Sequence, residues 1–93
     1  MGEDTARAAV PPGALAGLRE AFAAEVAERL PRIVAMTDLE TARRDVHTLA
    51  SSAWVVGEPA ISRLARAVED DLAGGPVVEL IAALQAYTPE QPS

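Results

Sequence analysis

Residues 37–57 read TDLETARRDVHTLASSAWVVG, and the spacing of the apolar residues in this stretch predicts the fold. Leu39, Ala42, Val46, Leu49, Ala53 and Val56 recur at intervals of three and four, which places them on one stripe of an amphipathic helix. Thr37 and Asp38 stand where an N-cap belongs, because a side-chain oxygen there can take up a free amide of the first turn. Glu40 and Thr41 follow in that turn, where the helix dipole favours a carboxylate. Gly57 ends the stripe as a C-terminal cap.

The same period extends to both sides. From Ala14 onward, Leu15, Leu18, Phe22, Val26, Leu30 and Ile33 form a second stripe, and Pro31 inside it is expected to kink or interrupt the helix. Before it, Val10-Pro11-Pro12-Gly13 cannot continue a helix, since proline lacks the amide donor and restricts its neighbour. Residues 1–13 are therefore read as a tail or a short helical lead-in. On the other side Pro59 opens a third helix at a position proline tolerates. Its stripe is Ile61, Leu64, Ala65, Val68 and Leu72, closed by Gly74-Gly75-Pro76. A fourth helix carries Val77, Leu80, Ile81 and Leu84 and stops at Thr88-Pro89. Four segments with one apolar face each, joined by short turns, predict an all-α fold over residues 14–88, an antiparallel and mostly up-and-down four-helix bundle, with 89–93 as a tail.

Composition narrows the function. Apolar residues make up 49% of the 93-residue chain and aromatic residues 3%, so the core is aliphatic, as suits helices. The formal charge is −6, and all eight basic residues are arginine. That balance argues against nucleic acid and against anionic membrane surfaces as partners. Without cysteine there is no disulfide framework, thiolate metal site or cysteine nucleophile. No apolar run approaches the length of a membrane-spanning helix, and Glu3 and Asp4 stand where a signal peptide would be basic. A cytoplasmic monomer is expected.

His47 is the one histidine. At about 100° per residue it lies one step around from Val46, on the flank of the predicted second helix. Glu40, Arg43, Arg44, Ser51 and Trp54 share that flank. Small residues after the imidazole, Ala50 and Ser51, leave room for a protein to approach. The arginines before it suit an arriving phosphoryl group. Glu69 lies twelve residues beyond the Gly57 turn and His47 ten before it, so a helical hairpin sets them at nearly equal height. There the carboxylate could accept a hydrogen bond from one ring nitrogen and leave the other free as nucleophile.

His47-Thr-Leu-Ala-Ser-Ser-Ala-Trp-Val-Val-Gly57, continued by Ile61, Leu64-Ala65 and Val68-Glu69, resembles the signature of histidine-containing phosphotransfer (HPt) domains, H-x-L-K-G-S-A-x-x-x-G-x-x-x-L-x-x-L-A-x-x-L-E. The likeness spans Asp38 to Leu72, and Phe22, Arg29-Leu30 and Ile33 fit the preceding helix of that family. It implies that His47 is the phosphorylated residue, that Glu69 orients the imidazole, and that Gly57 closes the interhelical turn. It further implies a phosphoryl carrier without kinase activity of its own, exchanging with a response-regulator receiver domain or a hybrid histidine kinase. No cofactor is then expected on the chain, and the receiver brings the magnesium ion. Ala50 replaces the family's lysine and Ser51 its glycine. Arg43 or Arg44 is the candidate substitute for the missing charge, and the Ser51 hydroxyl a candidate hydrogen-bond donor to the phosphate.

Plainer roles exist for each residue. Glu69 could pair on the surface with Arg66, Arg43 and Arg44 could be solubilising charge opposite Glu40, and Trp54 has two readings, a partner anchor or a lid over the end of the bundle, of which the lid is favoured. Glu69, Asp70 and Asp71 point in different directions on a helix and cannot converge on a metal ion. Among other functions, a helical adaptor that binds a receiver or kinase without carrying phosphate is the main alternative. An acyl carrier would need an Asp-Ser-Leu motif, which is absent. Two substitutions follow from this reading: Gly57→Val should destabilise the hairpin, and Ala50→Lys should raise phosphotransfer and leave stability unchanged.

Overall fold

The computed structural model describes residues 12–89; the expectations for residues 1–11 and 90–93 lie outside that range. Four helices follow one another: α1 Pro12–Ala35, α2 Leu39–Val55, α3 Pro59–Asp70 and α4 Val77–Ala86. No strand occurs among the described residues.

The local signals operate through ordinary capping chemistry. Asp38 caps α2, its carboxylate accepting from the amides of Glu40 and Thr41 and from the Thr41 hydroxyl. These bonds, the Thr41 hydroxyl first, hold the Asp38 carboxyl below its ordinary range. At the other end Gly57 takes φ +80, and its amide donates to the Trp54 carbonyl while that of Glu58 donates to Ala53. This paired closure of the last carbonyls is a Schellman turn, which requires a residue at ease in the left-handed region. It reverses the chain so that α3 can lie back along α2.

Helix α3 ends at Asp70, so that Leu72, read as the last residue of its stripe, lies in the turn beyond it, and α1 differs from the sequence reading at two points. Helix α1 begins at Pro12, not Ala14, because proline in the first turn loses no hydrogen bond that the helix would have made. It also continues through Pro31 to Ala35 without interruption.

Each helix packs on the next in the chain, and α1 also packs on α4. The core is Phe22, Val26 and Ile33 of α1, Val46, Leu49, Ala50 and Ala53 of α2, Ile61, Ala65 and Val68 of α3, and Leu80 and Leu84 of α4. Phe22 meets Tyr87 edge to face at 4.9 Å. Leu18, the second residue of its predicted stripe, and Leu39, the first of its own, are exposed instead. No described helix is long and apolar enough to cross a membrane.

Candidate functional site

Helix α2 turns Val46 fully into the core and thereby aims the next residue, His47, along its outer flank. The ring is 58% exposed, and its Nδ1 lies 2.7 Å from Oε2 of Glu69, which stands beside buried Val68 on α3. A second cross-link fixes the register: Ser62 Oγ donates to the Ala50 carbonyl at 2.9 Å. Going forward along α2 from 47 to 50, the partners on α3 go backward from 69 to 62. The predicted equal height of His47 and Glu69 is thus met by contact. An ionised carboxylate can only accept, so Nδ1 carries the proton and donates. In the neutral ring this tautomer leaves the lone pair on Nε2.

Around the ring lies an open cleft lined by Glu40, Arg43, Arg44 and Glu69. Neither Arg43 nor Arg44 enters an ion pair among the described residues, which leaves their donors available to an anion. One turn beyond His47, Ser51 is exposed, and farther along the same helix Trp54 is 66% exposed with Val55 open beside it. Val55, Leu18 and Phe22 edge an apolar groove between α1 and α2. The reading of Trp54 as a lid is therefore corrected: position 54 faces outward on α2, and most of its side chain is open to solvent.

Ala50 requires a second correction. It is 0% exposed, sealed where α2 meets the rest of the core, so its side chain offers no surface to a phosphate or a partner. The expectation that Ala50→Lys would leave stability unchanged is revised for the same reason, since a long charged chain would have to leave a filled interface. Arg66 does not pair with Glu69 either; the Glu69 carboxylate is committed to His47.

One feature of the site's support was missed from sequence. Asp45, two residues before His47, is 3% exposed and accepts from Arg29 Nη1 at 2.8 Å, Arg32 Nε at 2.8 Å and Arg32 Nη2 at 2.9 Å. The two guanidiniums, that of Arg32 foremost, hold the Asp45 carboxyl below its ordinary range against the opposing effect of burial. This clamp ties α2 to α1 beside the histidine. With Ser52 Oγ bonded to Glu25, partners again run in opposite order along the two helices. The signal was present: Asp45 falls on the inward side of the stripe, and Arg29 stands seven residues before the Met36–Asp38 turn, as far as Asp45 stands after it, with Arg32 about one turn nearer. The acidic run also has uses in place, since Asp71 accepts from the amides of Ala73 and Gly74 in the α3–α4 turn.

Set beside known proteins, residues 17–88 match the family model described as Hpt domain. No curated protein and no solved structure matches the chain significantly.

Proposed function

The chain belongs to the Hpt domain family, phosphotransfer domains of two-component signalling, and from that membership we propose that it is a phosphorelay intermediate carried by His47 on an antiparallel, up-and-down bundle. A phosphoryl group arrives from a receiver-domain aspartate or a kinase and leaves to a response-regulator receiver. The observation that carries this reading is the exposed imidazole whose Nδ1 is bonded to Glu69.

The chemistry follows from that bond. The Nε2 lone pair attacks the phosphorus of an aspartyl phosphate in line, the P–O bond to the receiver breaks, and the receiver carboxylate departs with the electron pair. The ring becomes an imidazolium bearing phosphate on Nε2 and its original proton on Nδ1. Glu69 meets the new positive charge through that N–H, as an orienting carboxylate does for a catalytic histidine. The loose transition state of phosphoryl transfer asks mainly for position and charge. Arg43 and Arg44 supply charge from the turn before His47, the Ser51 hydroxyl donates from the turn after it, and Trp54 with the neighbouring apolar groove receives the docking partner. The sequence carries no G-x-x-x-x-G-K phosphate-binding loop, and the receiver brings the magnesium ion. Such a relay operates in the cytoplasm, with the chain as a monomer.

Incubation with a phosphorylated cognate receiver tests this. Label should move to the wild type and not to His47→Gln. Label that never appears on the wild type, or that persists in His47→Gln, rejects the carrier in favour of a helical adaptor.

A further inference from the structure

We infer that Arg66, on α3, is a phosphoryl-binding residue that replaces, from across the helix interface, the charge that α2 lacks at Ala50. This rests on the reading of His47 as phosphoacceptor and assigns a residue that neither the signature nor the cleft around the ring contains.

The argument begins with charge. A phosphoryl group on Nε2 brings close to two negative charges to an imidazole already bonded to the Glu69 carboxylate. Such a group needs cations near it. Ala50 is buried and apolar, so the turn of α2 after His47 supplies none, and Arg43 and Arg44 both lie on the turn before it. The side of the ring toward Ser51 would be left without a positive charge if α2 were the sole source.

Helix α3 fills that side. Ser62 and Glu69 both reach α2, one to the Ala50 carbonyl and the other to His47, so the flank that holds them faces α2. Arg66 stands between them, about 40° around from Ser62 on the side away from the core, at 100° per residue. Because α3 runs opposite to α2, the turn before Glu69 lies toward Ser51 and away from Arg43. Arg66 is thus displaced by about 4.5 Å along the axis, at 1.5 Å per residue, in the direction where α2 is bare. Its side chain is exposed, and no ion pair or hydrogen bond holds it among the described residues. The phosphoryl group is then bracketed along the groove, by Arg43 and Arg44 at one end and by Arg66 with Ser51 at the other. A guanidinium suits the role, since its fork of donors matches two phosphate oxygens at once.

The test needs no partner protein. Phosphoramidate is used as donor: Nε2 of His47 bonds to phosphorus, the P–N bond breaks, and ammonia leaves. The wild type, Arg66→Gln, Arg66→Lys and His47→Gln are treated alike, and the phosphohistidine is followed by phosphorus NMR against pH. Arg66→Gln should raise the midpoint of the phosphoryl titration by roughly half a unit to one unit, Arg66→Lys should return it most of the way, and thermal unfolding should not change. A phosphorylated Arg66→Gln whose titration matches that of the wild type overturns the assignment and leaves the carrier reading standing. A wild type that takes no more phosphate than His47→Gln overturns both.

Discussion

Asp45→Asn keeps the shape of the side chain and removes the charge that joins α2 to α1. In the native chain the carboxylate accepts three hydrogen bonds from two guanidiniums while almost fully buried. Hydrogen bonds to charged groups each contribute about 1.5–3 kcal/mol. Removing one member of a fully buried ion pair costs about 3–5 kcal/mol, because the other is left without compensation. Here Arg29 is 23% exposed and Arg32 43%, so both recover water when the charge is lost, and Asn still accepts one bond. The loss should therefore be about 2–3 kcal/mol at neutral pH, or a fall in Tm of roughly 10–20 °C for a domain of this size. Its pH dependence has a definite sign. The folded carboxyl is held below its ordinary value, so the stabilisation is complete above that value, near 4, and disappears as pH falls through the lowered one. Urea unfolding of both proteins at pH 7 and at successively more acid pH measures this. The gap should be widest at pH 7 and narrow steadily below pH 4. A gap that is absent at pH 7, or that persists unchanged into strong acid, would refute the clamp.

Gly57→Val places a β-branched residue at φ +80, where nothing within 4 Å obstructs the new Cβ, so the cost is backbone strain alone, about 1–2 kcal/mol or more; equal Tm values for variant and wild type would contradict it. Ala50→Lys, in contrast, meets a filled interface and should lose about 1–3 kcal/mol, read as a lower urea midpoint, and an unchanged midpoint would show that the lysine escapes to solvent without cost.

Much of this was legible because the helices are amphipathic and their ends are marked. The three- and four-residue spacing around Val46 and Leu49 located α2, and Asp38 and Gly57 bounded it with side-chain and backbone chemistry that is local in sequence. Counting outward from the Gly57 turn brought His47 to Glu69, since a tight hairpin with fixed rise leaves little freedom in height. What failed was lateral. Periodicity says which residues share a flank but not how far the neighbouring helix covers it, so the sequence alone leaves Ala50 open where packing buries it, and Trp54 covered where it is bare. Asp45 escaped notice because a carboxylate on an apolar stripe is explained only by its partners, and these belong to another helix. The start of α1 at Pro12 shows the same limit at the level of a cap: the proline that ends one pattern also begins the next.

The proposed relay requires that Glu69 hold Nδ1 of His47 so that Nε2 receives the phosphoryl group. The most direct measurement is heteronuclear NMR of the phosphorylated, nitrogen-15-labelled chain, in which coupling to phosphorus identifies the bonded nitrogen. One phosphorylated residue is expected, His47, with phosphorus on Nε2 and the proton retained on Nδ1. Phosphorus on Nδ1, or on any other residue, would contradict it.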